Sequence, residues 1–288
     1  MPGTLFVVAT PIGNLEDITL RALRVLGEAD LIAAEDTRRT ARLLARHAIS
    51  TPTVSFHEHN TRTALPKLIS RLEESKAVAL VTDAGTPGIS DPGVELVRAC
   101  IERGIPVEPI PGVSAALTAA VASGFPLIPL TIAGFPPYKS KDRTRWFQTL
   151  SEIQWTITFF EAPHRIRKTL NELANIFVNR PIQVHREVTK INEQLVIYTN
   201  NADESSLKEL GEFVVVVAED NDLPVSDQAD RLISTAVSMF GCMTASGVFD
   251  DAYAVALAAK ACDLEEQAVR KAVKKHKIAE NQRRQALP

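Results

Sequence analysis

Short apolar runs at 4–9, 31–34, 53–56, 77–81 and 105–110 each give way to a segment of helical periodicity, beginning near 19, 37, 62, 93 and 114. Runs of this length bounded by turn signals read as buried strands, and apolar spacings of three and four read as amphipathic helix. Regular alternation of the two confines the first block to an α/β architecture with a mostly parallel sheet, because parallel neighbours need a crossover and the crossover here is a helix. Proline and glycine thicken from Ser123 to Pro137, which marks a boundary. Beyond it, strands are expected near 131–133, 156–160, 182–185, 195–198 and 213–218, with helices near 142–151, 164–177 and 204–210. Two strands with no helix between them (182–198) make the second block α+β with a mixed sheet. After Asp220-Asn221-Asp222-Leu223-Pro224 the periodicity is helical only. The expected division is an N-terminal α/β domain over 1–122, a second α+β domain over 123–222 and a helical appendage over 223–288.

Composition narrows the classes of function. A chain of 288 residues that is 45% hydrophobic can build substantial cores. The formal charge of −3 argues against a protein that coats nucleic acid with its whole surface, so any such contact must come from local clusters. Cys100, Cys242 and Cys262 are far apart and form no C-x-x-C pair, so neither a zinc site nor a disulfide framework is expected, and a reducing cytoplasm fits. The N-terminus lacks a basic region followed by an apolar stretch, and no apolar run reaches the ~18 residues that span a bilayer. An unexported, cytoplasmic protein without a membrane partner is the expectation.

The strand-to-helix corners carry the chemistry. The first, Thr10-Pro11-Ile12-Gly13-Asn14, stands where a dinucleotide-binding protein would have a G-x-G-x-x-G turn. Asp83-Ala84-Gly85-Thr86-Pro87-Gly88-Ile89-Ser90-Asp91-Pro92-Gly93 packs three glycines and two prolines into one loop, whose backbone can approach a ligand beyond the carboxyl end of its strand. Its simpler reading is a turn with Asp91 capping the next helix. Pro109-Ile110-Pro111-Gly112-Val113-Ser114-Ala115-Ala116 is a similar corner, with Ser114 placed as an N-cap. In Glu35-Asp36-Thr37-Arg38-Arg39-Thr40, Asp36 or Thr37 can cap a helix on which Arg38, Arg42 and Arg46 fall at i, i+4 and i+8, a one-sign stripe suited to phosphate.

His57 and His59 would share one side of a strand, as cleft-lining groups or as metal ligands lacking the rest of a set. Glu161-Ala162-Pro163-His164-Arg165 opens a helix and can offer Glu161 to a ligand. Arg186-Glu187-Val188-Thr189-Lys190 reads as a strand continuing with alternating charge, either a plain edge strand or one that aims Lys190 at a cleft. In the tail, residues 270–277 hold five Lys/Arg, and two short helices around a tight corner are suggested.

Taken together, VVATPIGNLEDITLRAL, AAEDTRRT, VTDAGTPGISDPG, PIPGVSAA, AGFPPYKSKDR, FFEAPHRI and REVTK resemble, in order and over about residues 4–219, the small-subunit rRNA methyltransferase I family of the tetrapyrrole-methylase class. The resemblance implies a tetrapyrrole-methylase-like α/β fold, two α/β domains with the cofactor cleft between them plus a small C-terminal helical appendage. It further implies S-adenosylmethionine as cofactor, ribose 2′-O-methylation of a cytidine in the decoding region of 16S rRNA within the 30S subunit, and a homodimer with no metal. Matched motif by motif, the donor site would take Pro11 from the first corner, then Asp83, Ala84, Gly85, Thr86, Ser90 and Asp91. Ser114 and Ala115 follow, with Phe160, Glu161 and Pro163 from the second block. Glu35, Asp36 and Lys190 would be the catalytic candidates, for proton removal or alkoxide stabilisation. Asn14, Arg38, Arg42 and Arg46 would face RNA. After REVTK the sequence departs from the family pattern, running through Ile191-Asn192-Glu193-Gln194 into Leu195. A tetrapyrrole C-methyltransferase of the same fold and a non-catalytic RNA-binding or assembly protein stand as alternatives.

Overall fold

The structure, a computed structural model, describes residues 2–198, 207–220, 233, 235–237, 239–240, 244, 250–262 and 264–285, the last eight by backbone alone. Contacts divide the chain into two compact units, Met1–Asp220 and Asn221–Pro288.

The first unit holds two sheets. In the first, β1 (Leu5–Val8), β2 (Leu31–Ala34), β3 (Thr53–Ser55), β4 (Val78–Val81) and β5 (Val107–Ile110) run parallel in the order β3-β2-β4-β1-β5. The crossovers are α1 (Leu20–Glu28), α2 (Thr37–Arg46), α3 (Thr61–Glu73) and α4 (Val94–Glu102). β4 is buried at every residue because helices cover both faces of the sheet. Val25, Leu26 and Leu44 of α1 and α2 pack with Val8, Ile32 and Val81, whereas Leu68, Leu72 and Leu96 of α3 and α4 pack with Leu5, Val78 and Leu80. Local chemistry fixes the helix starts: Thr19 caps α1 by accepting from Ala22 N–H, and Asp36 caps α2 by accepting from Arg38 N–H.

Helix α5 (Ala115–Ser123) leaves β5 but packs Ala119 on Val214 and Val216 of the second sheet. That sheet comprises β6 (Leu130–Ile132), β7 (Thr156–Glu161), β8 (Ile182–Arg186), β9 (Gln194–Tyr198) and β10 (Phe213–Val217), in the order β6-β7-β10-β8-β9. It is mixed, as the sequence suggests: β6 and β7 are parallel and every other pair is antiparallel. Its opposite face buries Phe147 of α6 (Ser140–Ser151) and Leu170 of α7 (Ile166–Ile176) against Phe159, Phe213 and Val215. Arg180 fastens the far end of the sheet by donating to the carbonyls of Ala218, Ile153 and Trp155 at 2.6–2.9 Å.

Two expectations fail. Residues 207–210 are not helical, and the rest of the helix expected over 204–210 lies outside the described residues. The strand expected to run through Lys190 stops at Arg186, because Glu187 and Thr189 take positive φ (54° and 65°) and Lys190 N–H closes a turn onto the Glu187 carbonyl at 2.9 Å.

In the second unit, α8 (Asp251–Ala261) and α9 (Glu266–Gln285) flank a short corner, and Ala254, Ala258, Val269 and Val273 share a cluster with Phe240. Lys277 pairs with Asp251 at 2.7 Å and Arg270 with Glu266 at 3.7 Å, while Lys271, Lys274 and Lys275 are exposed.

Candidate active site

The first sheet delivers its corners to one edge, beyond the carboxyl ends of its strands. Thr10 at the exit of β1 exchanges backbone hydrogen bonds with Gly85 in both directions at 2.9 Å, and Thr86 Oγ1 donates to the Val113 carbonyl at 3.3 Å. Three corners are thereby tied into one surface. The second sheet meets them at the turn after β8. Gly13 lies so close to that turn that a Cβ there would sit 2.4 Å from Lys190 Cγ, and Asn14 N–H donates to Thr189 Oγ1 at 3.2 Å. A compact corner without a side chain at Gly13 is what this contact requires. The role of the Thr-Pro-Ile-Gly-Asn stretch is therefore to seat one sheet's loops against the other's.

Between them lies a cleft of about 390 Å³, within the size range of small-molecule and cofactor sites. Asp83, Ala84, Gly85, Thr86, Ser90 and Asp91 line one side, with Ser114 and Ala115 beside them. Phe160, Glu161 and Pro163 line the other. Pro11 is buried behind this surface, and its neighbour Ile12 reaches the cleft in its place. Sequence reading also missed Arg39, Phe135 and Glu212, which line the cleft too. Phe135 stacks near Phe160 with ring centroids 5.2 Å apart. Its signal was present in Gly134-Phe135-Pro136, a large apolar side chain on a loop too irregular to bury it.

Neither Asp91 nor Ser114 caps its helix through its side chain. Helix α4 starts after Gly93, not at Asp91, and Ser114 occupies the N-cap position without a side-chain capping bond. Asp91 instead faces the cleft. Burial, together with Glu35, Asp83 and Glu212 facing it, pushes its carboxyl up to about 7. Asp83 is heavily used: its N–H donates to Glu35 Oε2 at 3.2 Å, its Oδ1 accepts from Asp36 N–H at 3.0 Å, and Arg39 approaches Oδ2 at 3.3 Å. The interior is acidic, which suits a cationic ligand carrying sulfonium and ammonium groups.

Glu161 lines the cleft while its carboxylate is engaged by the protein. Arg143 and Arg165 each approach it at 3.1 Å, Thr169 donates its hydroxyl to it, and Ala162 N–H donates at 2.8 Å. Arg143 also pairs with Glu172 at 2.7 Å. With its oxygens occupied and its side chain fully buried, Glu161 fixes the Phe160–Pro163 wall from behind.

The catalytic candidates separate by geometry. Asp36 is gripped by Arg38 through contacts of 3.0 and 2.7 Å while it caps α2, and the Arg38 side chain holds its carboxyl far below the usual range. Lys190 donates to Glu187 at 2.9 Å and pairs with Glu212 at 3.1 Å. Burial works against its charge, yet the hydrogen bonds to Glu187 and Glu212 carry its pKa above the ordinary lysine value. Glu35 sits on the cleft wall beside Asp83. Arg38, Arg42 and Arg46 are exposed along α2, with Arg38 engaged by Asp36, and Asn14 caps the following turn by accepting from Glu16 N–H. His57 and His59 are not part of the cleft lining.

Residues 4–203 match the family of Tetrapyrrole (Corrin/Porphyrin) Methylases. The ribosomal RNA small subunit methyltransferase I of Halalkalibacterium halodurans is 47% identical over 220 residues, covering 75% of both chains. The chain belongs to the ribosomal RNA small subunit methyltransferase I branch of the tetrapyrrole methylases. The enzyme of that name from Thermotoga maritima is 42% identical over 75% of this chain and 98% of its own. Among solved structures, uroporphyrin-III C-methyl transferase from Thermus thermophilus, complexed with S-adenyl homocysteine, covers 75% of this chain and 98% of its own at a TM-score of 0.54 and 18% identity. The family fixes the reaction class as methyl transfer, and the two-sheet arrangement is the tetrapyrrole-methylase fold.

Proposed function

We propose that this chain transfers a methyl group from S-adenosylmethionine to the ribose 2′-hydroxyl of one cytidine in the decoding region of 16S rRNA, cytidine 1402 in the usual rRNA numbering. It does so on the 30S subunit, as a cytoplasmic homodimer. One observation carries this reading: the cleft is acidic inside, while α2 beside it exposes a stripe of arginines. A cationic donor inside and an anionic polymer outside satisfy both. Residues 1–122 and 123–222 supply the two walls, and 223–288 present basic side chains to RNA.

When bound, the donor supplies an activated methyl for in-line displacement by the ribose oxygen. The protein's part is to align the reactants, worth roughly 7–11 kcal/mol of barrier, and to manage the hydroxyl proton. Asp36, locked onto Arg38, is a poor base, and Lys190, held protonated, acts as a cation beside the developing alkoxide. With Asp83 paired to Arg39 and Glu212 to Lys190, Glu35 and Asp91 are the cleft-wall carboxylates we assign to accept the proton. Phe135 and Phe160 offer an apolar face for the donor's adenine.

Transfer of labelled methyl from S-adenosylmethionine to 30S subunits lacking their native modification, followed by nuclease mapping, tests the whole assignment. Label in a single 2′-O-methylcytidine of the decoding region is expected. Donor binding with no label on RNA would defeat the proposal and favour an anionic macrocycle as acceptor.

Two further outcomes follow from the electrostatics. Asp91 titrates at about 7 in the folded chain against 3.8 when unfolded. Between those values the native state holds a proton that the unfolded chain has released, so this group's contribution to stability falls as pH rises through that window. A cationic donor in the cleft favours the carboxylate and expels the proton. Binding enthalpies measured just below neutral pH should therefore depend on the ionisation enthalpy of the buffer, and Asp91→Asn should remove the dependence. Buffer-independent enthalpy in the wild-type protein would place Asp91 away from the donor.

Arg42→Ala with Arg46→Ala should weaken RNA binding and reduce the slope of log K against log salt by about 1.5, the release expected for two phosphate contacts. An unaltered slope would move the RNA path off α2.

A further inference from the structure

The Phe56-His57-Glu58-His59-Asn60 corner lies outside the cleft lining, and β3 ends at Ser55, so both histidines stand in a turn. Asn60 clamps this turn: its Oδ1 accepts from His57 N–H at 2.9 Å and its Nδ2 donates to the Ser55 carbonyl at 3.0 Å. The His57 carbonyl accepts from the N–H groups of Asn60 and Thr61 and from the Thr61 hydroxyl. The backbone is thus committed, whereas neither imidazole hydrogen-bonds among the described residues. The two rings meet edge to face with centroids 5.9 Å apart, and His57 Nδ1 is buried without a partner. His57 is half-buried and His59 exposed. Two imidazoles are too few for a structural metal site, and no cluster of three or more His, Cys, Asp or Glu gathers among the described residues.

The position of this corner is informative. Phe56 N–H donates to the Ala34 carbonyl at 2.8 Å, so the chain leaves the sheet alongside Glu35 and Asp36, one strand spacing of about 4.8 Å away. Arg62, exposed on the first turn of α3, has no carboxylate partner among the described residues. A tightly hydrogen-bonded turn that presents paired aromatic rings, with the exposed Arg62 on the helix turn that follows it, has the makings of a platform for an unstacked base and its phosphate.

We infer that the His57–His59 corner is a stacking subsite for a single-stranded nucleotide flanking the methylated one, with Arg62 on its phosphate. The subsite rests on the rRNA reading above. It explains how a cleft sized for the donor can grip an RNA strand along a path leading outward from β2 to the sheet edge at β3.

Methylation of unmodified 30S subunits by the wild-type protein, His59→Ala and His59→Phe separates the possibilities, with donor affinity measured alongside. His59→Ala should raise KM for the particle about tenfold, within the range that loss of one base–aromatic stack gives, and leave donor affinity unchanged. His59→Phe, which keeps a flat ring and loses the nitrogens, should restore most of the loss. An unchanged KM in His59→Ala, or a phenylalanine variant as poor as alanine, overturns the subsite while the rRNA reading stands. A wild-type protein that binds the donor yet methylates no RNA overturns both.

Discussion

Arg143→Met should lower the stability of the first unit by about 3 kcal/mol, because it removes one of the two guanidiniums that balance the buried Glu161 carboxylate. Arg143 is 3% exposed, and its guanidinium contacts Glu161 at 3.1 Å, Glu172 at 2.7 Å and the Thr169 hydroxyl. Methionine keeps an unbranched apolar stem but loses the guanidinium carbon that lies 5.2 Å from the Phe147 ring centroid, so the loss reports charge more than volume. The Glu161 carboxylate would retain Arg165, but at a geometry meant for two guanidiniums. Urea denaturation gives the change directly, and Arg143→Met combined with Glu161→Gln should recover part of it, since removing both charges leaves less to desolvate. A midpoint unmoved by Arg143→Met would show the network to be solvated and the Phe160–Pro163 wall to be held by packing alone. Because that wall lines the cleft, donor affinity should fall together with stability.

Lys190→Ala should reduce turnover about 10²–10³-fold, the usual effect of removing one preorganised group facing developing negative charge. The direction of the donor effect distinguishes this role from a general disruption. Lys190 neutralises Glu187 and Glu212, and Glu212 lines the cleft, so deleting the lysine makes the cleft more acidic. A cationic donor should then bind as well as before or more tightly, while methyl transfer slows. Single-turnover rates at saturating donor and RNA measure the first effect, and calorimetry measures the second. Unchanged turnover would remove Lys190 from the chemistry, whereas weaker donor binding would show that its loss unseats the turn resting on Gly13.

What the sequence disclosed depended on the range of the interactions involved. Elements set by local patterning were legible: Val78–Val81 reads as a fully buried strand because every residue in it is apolar, and the Pro/Gly loop from Asp83 onward announces a close backbone approach. Asp36 caps its helix as its residue type predicts. Features set by distant partners were not. Nothing near Gly13 in sequence indicates Thr189, which lies 175 residues from Asn14 yet accepts its N–H. The partners of the Glu161 carboxylate are hidden in the same way, because the side chains of Arg143, Arg165 and Thr169 converge on it only after α6 and α7 pack on the second sheet. Alternating charge makes the stretch through Lys190 read as an exposed edge strand, and the positive φ at Glu187 and Thr189 falls on residues that seldom adopt it, so the sequence carries no turn signal there.

The order of the second sheet also has a bearing on biosynthesis. Its central strand, Phe213–Val217, is the last of its five to leave the ribosome, and both β7 and β8 must wait for it. Until then the nascent chain carries a two-stranded piece on either side of a gap, each with an unsatisfied edge facing it. Val214, on that same late strand, also lines the donor cleft. The cleft therefore cannot be complete on a partly made chain, and a product terminated before this strand should lack methyl transfer and self-associate.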